Sequence, residues 1–431
     1  MGWKCCRTHR RKDPGNFRIN MHKPLNIVLL SYHNQNGGAG IACGRLRDAL
    51  ENAGHQVSML VQEKTGMDDS ISLSKTPWDK LKAWLLFILE RLSFLPFEKN
   101  KDVRFLFNPG KFGQDLSLHP MIQQADIIHL HWVNFGMLSV NNIKQLLNTG
   151  KPVYWTLHDM WAFTGGCHHS GNCLNFQASC GNCEEFIKHP AADDLSHQIW
   201  QKKFDAFRMP NLHIITCSDW LKERAKTSSI LKNQGIESIP NAIDTSHFKP
   251  ADKQNAKRIL GLDSSKKHIL FVAMRVNAPK KGFSYLEEAL KGMNPEQCEL
   301  IIAGNAQELP KLALHAHKMG HIDSADKMIQ LYQAADVFVT PSLEENLPNT
   351  IMEAMACGTP CVGFNIGGIP EMIDHQINGY VATYQSAEDL HQGLNWTLSN
   401  APEQAAREKA ETAYSASIIA AKHVNYYTHV G

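Results

Sequence analysis

The chain of 431 residues lacks both the long apolar stretch and the unbalanced charge that mark two common classes of protein. No apolar run reaches the roughly 18 residues that a helix needs to cross a bilayer. Its 44 Lys and Arg against 42 Asp and Glu leave a net charge of +2, so no overall field favours binding to nucleic acid. Internal repeats and low-complexity tracts are also absent. What is left is the composition of an ordinary globular protein, with 43% hydrophobic and 20% charged residues.

We also expect no secretory signal, because the first 20 residues carry a basic cluster and no apolar block of sufficient length. Met21 opens a sequence that leads directly into an apolar strand, so we expect residues 1–20 to be a disordered tail or an overextended start. The chain has 11 cysteines, most of them scattered. Scattered cysteines without an export signal are typical of reduced thiols. We therefore expect a cytoplasmic location, which includes the inner face of the membrane.

From Leu25 onward, short apolar runs alternate with helical patterns, which predicts parallel sheets with crossover helices. The predicted strands form two series, separated by a linker rich in Pro, Asn and Asp at residues 239–254. The first series is 25–30, 57–61, 127–130, 153–157 and 213–217, and the second is 269–273, 300–303, 337–340, 360–364 and 380–382. A chain of this length also exceeds what one core supports. We predict two Rossmann-like domains, residues 21–248 and 249–410.

The run Thr340–Val362 (TPSLEENLPNTIMEAMACGTPCV) is the most informative segment of the chain. Its second half predicts a helix with almost no polar face except Glu353, and a lone carboxylate is costly to bury unless something pairs with it. Glu345 lies eight residues earlier in a loop, and Pro348 and Asn349 mark the helix start, where free N–H groups favour an anion. Two acids beside a positive helix end suit a ligand with hydroxyls and phosphates, such as a nucleotide sugar. The alternative is that Glu353 only caps or salt-bridges a helix.

This run resembles the E-x7-E segment of the family 4 glycosyltransferases, with Glu345 and Glu353 on its two acidic positions. The resemblance extends from about Met21 to the C-terminus and includes the segment Ile239–Asp244 before the linker. It implies an α/β fold of the GT-B class, in which two Rossmann-like domains turn their parallel sheets toward a central cleft. It also implies that residues 411–431 form a helix that packs back on the first domain.

The resemblance implies a retaining glycosyltransferase. Such an enzyme moves a sugar from a nucleoside-diphosphate donor to a glycan or a lipid-linked glycan, as in the bacterial enzymes that build surface polysaccharides. Two other functions stay open: a nucleotide-sugar epimerase of similar two-domain shape, and a non-catalytic carbohydrate-binding relic. The sequence contains no Asp-x-Asp pair, so a metal that bridges enzyme and donor is not expected, and catalysis should require no cofactor.

The donor residues implied by the resemblance lie mostly in the second domain. Arg275 and Lys281 match, at a spacing of six residues, the Arg and Lys that the family places on the donor pyrophosphate. The chemistry agrees, because a diphosphate needs positive charge and Gly282 allows close approach of the backbone; the alternative is a solvated basic loop. By resemblance Glu353 accepts hydrogen bonds from the ribose, and Glu345 lies beside the transferred sugar. Further donor contacts implied by the family's loops are Asn346, Leu347, Gly38 and Ile322.

Two strand ends in the first domain present the pairs His131-Trp132 and His158-Asp159. His158 matches the reacting-centre histidine of the family, and a histidine at the carboxyl end of a parallel strand has a pKa suited to proton sharing near neutrality. We expect Asp159 to orient it, and we place His131, Trp132 and Asp159 on the acceptor side. The predicted catalytic residues are His158, Glu345, Arg275 and Lys281. A buried structural histidine is the alternative, and it is our interpretation of His129, which should face away from His131.

Four cysteines lie within 17 residues, Cys167, Cys173, Cys180 and Cys183, and the last two have C-x2-C spacing. Four thiols can close a tetrahedral structural zinc site. Disulfides or free thiols are the alternative. We expect no catalytic role for this cluster.

The segment Trp78–Leu92 predicts an amphipathic helix, with apolar residues at helical spacing and basic residues beside them. It either lies on a membrane surface or packs on its own domain, and packing is the commoner case. The expected partners are thus a nucleoside-diphosphate sugar, a glycan or lipid-linked acceptor and a peripheral membrane contact, without nucleic acid.

Overall fold

The computed structural model describes residues 23–306 and 309–429, so the expectation for residues 1–20 lies outside the described residues. It contains two parallel β-sheets with helices packed on them, as the alternating pattern predicts. The central strands are buried on both faces, which is typical of parallel sheets in α/β proteins. The predicted class, α/β with two Rossmann-like domains, is therefore confirmed. No helix within the described ranges is long and apolar enough to cross a membrane.

The first domain is built on a seven-stranded sheet. Its strands are β1 (Asn26–His33), β2 (Gln56–Glu63), β3 (Ile71–Ser72), β4 (Ile127–Leu130), β5 (Val153–Leu157), β6 (Leu212–Thr216) and β7 (Gly235–Ser238). They lie in the order β3-β2-β1-β4-β5-β6-β7. Its helices are α1 (Gly37–Asn52), α2 (Pro77–Phe94), α3 (Pro120–Gln124), α4 (Val140–Leu147), α5 (Leu195–Ala206) and α6 (Asp219–Thr227).

The second domain is built on a six-stranded sheet. Its strands are β8 (Lys267–Arg275), β9 (Cys298–Asn305), β10 (Ala316–Gly320), β11 (Val337–Thr340), β12 (Cys361–Phe364) and β13 (Gly379–Ala382), in the order β10-β9-β8-β11-β12-β13. Its helices are α7 (Lys253–Ile259), α8 (Phe283–Leu290), α9 (Ala325–Ala334), α10 (Asn349–Ala356), α11 (Ile369–Met372), α12 (Ala387–Asn400) and α13 (Glu403–Ala413). The sequence pattern misses β3, β7 and β10, which are all edge strands with half-buried or exposed residues.

A last helix, α14 (Ala416–His429), returns to the first domain and packs on α1. It covers His129 of β4, whose Nδ1 lies 2.7 Å from the hydroxyl of Tyr427 and whose Nε2 lies 2.7 Å from Oγ1 of Thr156. The ring of His423, also on α14, lies 5.8 Å from that of His129. Burial lowers the pKa of His423 to about 4 and holds the pKa of His129 well below its usual value. Both rings are therefore neutral in the folded protein near neutral pH.

We predict that the free energy of unfolding falls as the pH is lowered from about 7.5 to about 5.5. In this window the unfolded chain protonates its histidines, which titrate near 6.5, whereas the folded rings stay neutral. The unfolded state therefore binds more protons, and stability rises with pH up to the unfolded pKa. His423→Gln should reduce the fall by up to about 1.4 kcal/mol per pH unit, measured by urea unfolding.

An exposed histidine provides the control, since His189→Gln should leave the pH dependence unchanged. If the free energy of unfolding falls equally as the pH is lowered in the parent and in His423→Gln, the buried ring of His423 does not set the pH dependence.

Candidate active site

The buried carboxylate of Glu353 is the centre of the site. It lies on α10, is 8% exposed, and has two partners. Its Oε1 accepts a hydrogen bond from Nη2 of Arg45 at 2.7 Å, and its Oε2 accepts one from the hydroxyl of Tyr332 at 2.8 Å. Burial and the nearby Glu353 raise the pKa of Tyr332 well above its usual value, so this hydroxyl remains a donor. The salt-bridge alternative for Glu353 is thus present in the structure, and its cation comes from the other domain.

Arg45 is a site residue that the sequence argument missed. It lies on α1, its guanidinium is 5.0 Å from the centre of the Phe248 ring, and its Nη1 is buried without a hydrogen-bond partner among the described residues. Gly38, which precedes it by two helical turns, accepts a hydrogen bond from the Asn349 amide at 3.0 Å. Residues seven apart share a helix face. Arg45 therefore lies on the same face of α1 as Gly38, so this helical spacing from the glycine-rich turn is the sequence signal that indicates Arg45.

Lys281 and Glu345 lie together, with Nζ and Oε1 2.5 Å apart. Arg275 is the last residue of β8 and is exposed at the end of that strand. Gly282 has a φ of +66°, and a Cβ there would lie 1.8 Å from the carbonyl oxygen of Pro341. This glycine is thus required by close packing of the loop against the protein backbone, and its role in close approach to a diphosphate stays a prediction.

The loop between Glu345 and α10 lies against the first domain. Asn346 accepts a hydrogen bond from the Ser218 hydroxyl at 2.5 Å and donates one to the carbonyl oxygen of His158 at 3.2 Å. The Asn349 side chain accepts a hydrogen bond from Asn241 at 2.9 Å. Leu347 is buried and Ile322 packs on the core of the second domain. The side chains of these two residues are therefore part of the core, which leaves their backbone atoms for a donor.

His158 lies at the carboxyl end of β5 in a row of buried groups. Its Nε2 is 3.0 Å from Nδ1 of His131, and its Nδ1 is 3.6 Å from Sγ of Cys217. Burial lowers the pKa of His158 to about 4, and burial holds the pKa of His131 well below its usual value. The expectation of a pKa near neutrality is therefore wrong, because both rings are neutral at pH 7. His131 is only 3% exposed, and its ring lies 4.7 Å from that of His129. The expectation that His129 faces away from His131 is therefore wrong, because positions two apart share a strand face.

Asp159 does not orient His158 in the structure. Its Oδ2 accepts hydrogen bonds from Nε1 of Trp132 at 3.0 Å and from Nδ1 of His168 at 2.7 Å. Its Oδ1 accepts one from the backbone N–H of Trp161 at 2.8 Å. Burial acts to raise the pKa of Asp159, but His168 and the hydrogen bond from the Trp161 backbone outweigh it and lower the pKa to about 2. The expected Asp159–His158 pair is therefore replaced by an Asp159–His168 pair that also holds Trp132.

The four clustered cysteines are all free, and Cys173 is exposed. Burial raises the pKa of Cys180 to about 12 and that of Cys183 to about 11. In the described part of the chain these thiols form no group with three ligand atoms within 4.8 Å of one another; such a group occurs instead in the second domain. The thiols are not closed into a metal site in this structure, and structural zinc at this cluster stays a prediction.

Two family models match the chain, one on each domain. A model for Glycosyltransferase Family 4 matches residues 36–247, and a model for Glycosyl transferases group 1 matches residues 266–400. Over 200 residues the chain is 30% identical to a glycosyltransferase of Methanocaldococcus jannaschii, covering 43% of this chain and 51% of that one.

Over 201 residues it is 26% identical to the N,N'-diacetylbacillosaminyl-diphospho-undecaprenol alpha-1,3-N-acetylgalactosaminyltransferase of Campylobacter jejuni, covering 44% and 52% of the two chains. The chain thus spans about half the length of these curated relatives.

The fold is similar to that of solved glycosyltransferases. Anabaena HepE, in complex with UDP, superposes with a TM-score of 0.58 at 16% sequence identity, over 93% of this chain and 99% of that one. An identity this low supports the fold alone, and the superposition agrees with the two Rossmann-like domains described above. On the family models and this architecture, the chain belongs to the family 4 glycosyltransferases of the GT-B fold.

Proposed function

We propose that the protein is a retaining glycosyltransferase that moves a sugar from a nucleoside-diphosphate donor to a glycan or lipid-linked glycan. The observation that carries this proposal is the Glu353 carboxylate, fixed by Arg45 and Tyr332 beside a helix start that has no side-chain cap. HepE binds UDP, and the Campylobacter relative is named for a lipid-diphosphate acceptor. These two chemistries suggest the donor and acceptor classes for this chain.

The ribose of the donor would bind at Glu353. A carboxylate oxygen accepts about two hydrogen bonds, so Oε1 and Oε2 each keep one position after Arg45 and Tyr332 are bound. Two ribose hydroxyls can donate to these positions. The unpartnered Nη1 of Arg45 would then bind a donor oxygen, so the first domain would help to form the donor site.

The diphosphate would lie between Arg275, Lys281 and the start of α10. Negative charge on its leaving oxygen grows in the transition state, and fixed cations and uncapped N–H groups stabilise that charge. In the proposed step, the acceptor hydroxyl oxygen bonds to the anomeric carbon on the face from which the diphosphate leaves. The carbon–oxygen bond to the diphosphate breaks, and the hydroxyl proton passes to the departing diphosphate oxygen.

His158 would act as a neutral imidazole that positions the sugar or the acceptor, since its pKa of about 4 does not suit a general base at pH 7. The family models and relatives reported above are glycosyltransferases, so nothing in them supports an epimerase. A carbohydrate-binding relic would lack turnover, which the following experiments measure.

The first test is a screen for nucleotide release with UDP-, GDP- and ADP-sugars and a mixed glycan acceptor pool. We expect release with one nucleotide class and an acceptor-dependent product whose NMR spectrum keeps the anomeric configuration of the donor. An α-linked donor that gives a β-linked product would overturn retention. An epimerised sugar nucleotide without transfer would overturn the glycosyltransferase proposal.

The second test concerns Glu353 and Arg45. Glu353→Ala should weaken donor binding, because charge-assisted hydrogen bonds worth about 1.5–3 kcal/mol are lost. This loss should raise the donor KM about 10- to 150-fold. Arg45→Ala should also raise the donor KM. The free-energy loss in the double variant should be smaller than the sum of the two single losses, because each single change breaks the same pair. The measurement is donor KM and kcat with the nucleotide identified in the screen.

Arg47 is the matched control for Arg45. It lies on the same helix and pairs with Asp48 and Asp68 in its own domain, so Arg47→Ala should leave the donor KM unchanged. An unchanged donor KM in Glu353→Ala would remove this residue from the donor site. Strict additivity in the double variant would show that Arg45 and Glu353 act separately.

We further propose that α2 makes a peripheral contact with an anionic lipid surface. The helix packs on its domain through Glu90 and Phe94, whereas Trp78 and Trp84 are 79% and 57% exposed. Lys80 and Lys82 are exposed beside them. An apolar stripe with flanking lysines suits the boundary between lipid headgroups and acyl chains. The cytoplasmic location expected from the cysteines stays part of this proposal.

Replacing both tryptophans, Trp78→Ser and Trp84→Ser, should release the protein from vesicles that contain phosphatidylserine without lowering its melting temperature. Phe87, the next aromatic residue of α2, is left unchanged, because it is half-buried against the core of the first domain. Leu118→Ser, an equally exposed apolar residue outside α2, is the control. The proposal fails if the parent protein does not sediment with these vesicles, or if the double variant sediments as well as the parent.

A further inference from the structure

Three neighbouring strands of the second sheet, β8, β9 and the edge strand β10, bring two histidines and a glutamate together at the end of the sheet opposite the candidate active site. His268, Glu299 and His317 lie near the first residues of β8, β9 and β10. His268 pairs in register with Glu299, and His317 pairs with Ile301, two residues after Glu299. Positions two apart share a strand face. The three side chains therefore point to the same side of the sheet.

Their ligand atoms converge on one carboxylate oxygen. Nε2 of His317 is 2.7 Å from Oε2 of Glu299, and Nε2 of His268 is 3.4 Å from the same oxygen. A set of ligand atoms, one from each residue, lies within 4.8 Å of one another. Two imidazole nitrogens and a carboxylate oxygen are a donor set that suits zinc and neighbouring transition metals, with a fourth position for water.

His268 is the anomaly that this arrangement explains. It is 0% exposed, and neither of its ring nitrogens has a hydrogen-bond partner among the residues that the structure describes. A buried polar side chain without a partner is costly and uncommon. A cation bound between the three residues would give Nε2 of His268 the partner that it lacks.

The surrounding charges leave the shared oxygen available. Lys266 donates a hydrogen bond to Oε1 of Glu299 at 3.0 Å, which fixes the carboxylate and leaves Oε2 facing the histidines. Groups around metal ligands commonly fix the ligands in this way. Lys257 and Lys267 pair with Asp336, at 2.8 and 3.4 Å. The cations nearby are thus bound to other carboxylate oxygens.

His317 provides the opening to solvent. Its side chain is 21% exposed, and the ring of the exposed His315 lies 4.7 Å away at the rim. We propose that His268, Glu299 and His317 form a binding site for a divalent transition-metal ion, of which zinc is the best match. Such a site would join three strands of the nucleotide-side domain at its edge, far along the sheet from the reacting groups, and would be structural.

The experiment is equilibrium dialysis of the reduced full-length protein against zinc, with metal analysis of the protein afterwards. The parent should bind one zinc ion more than His317→Gln, a variant on a half-exposed edge strand that should fold normally. His247→Ala, which removes an exposed histidine from an exposed His–Asp pair, should bind as much zinc as the parent. Equal zinc in the parent and in His317→Gln would overturn the proposal.

Cobalt substitution separates this site from the cysteine cluster. Cobalt bound by nitrogen and oxygen lacks the intense near-ultraviolet charge-transfer band that thiolate ligands give. His317→Gln should lose the cobalt spectrum that lacks the thiolate band. Cys180→Ser should leave this nitrogen- and oxygen-ligated cobalt spectrum unchanged. A zinc-induced rise in melting temperature should also be smaller in His317→Gln than in the parent. If all bound cobalt shows thiolate bands, the histidine site does not exist. Sugar transfer is not used as a readout, so these outcomes do not depend on the proposed function.

Discussion

The candidate active site depends on how the carboxylate of Glu353 is paired within an apolar helix. Six of the eight residues of α10 are buried, and Glu353 is one of them. A buried carboxylate without a counter-charge costs several kcal/mol or takes up a proton. Arg45 supplies that charge from the other domain at 2.7 Å, and Tyr332 supplies a second donor. Contact between the domains therefore sets the pairing and the orientation of the carboxylate.

Several neutral hydrogen bonds hold the same contact. Asn346 bonds to Ser218 and to the backbone of His158, and Asn349 bonds to Asn241 and Gly38. On another part of the interface, Glu371 accepts hydrogen bonds from the first backbone N–H groups of α6. All of these join a loop or helix end of one domain to a loop or helix end of the other. These bonds help the buried Arg45–Glu353 pair to keep one geometry across the two domains.

The sequence was sufficient for the parts of the molecule that local patterns determine. Continuous apolar runs predicted the buried strands, and the apolar pattern around Glu353 predicted the helix in which this carboxylate is buried. The edge strands β3, β7 and β10 were missed because their polar, half-exposed residues resemble loops. Arg45 was missed for a different reason: it is 308 residues from Glu353 along the chain, and no local pattern records such a pairing.

The histidines show the same limit at shorter range. His158 and Asp159 are adjacent in sequence, yet consecutive residues at a strand end point in different directions, and Asp159 bonds to His168. The pKa of His158 depends on its burial between His131 and Cys217, which sequence spacing does not reveal.

The two domains divide the chemistry of the proposed reaction between them. At the carboxyl end of its sheet the first domain presents His158 and His131, which are hydrogen-bonded to each other and held neutral by burial. The second domain presents cations and free N–H groups: Lys281 beside Glu345, Arg275 at the end of β8, and the uncapped start of α10. A proton acceptor at the first domain's sheet edge is therefore weak at neutral pH. In the proposed reaction, a departing diphosphate held among the cations of the second domain would be the better base for the acceptor proton, as retention on one face requires.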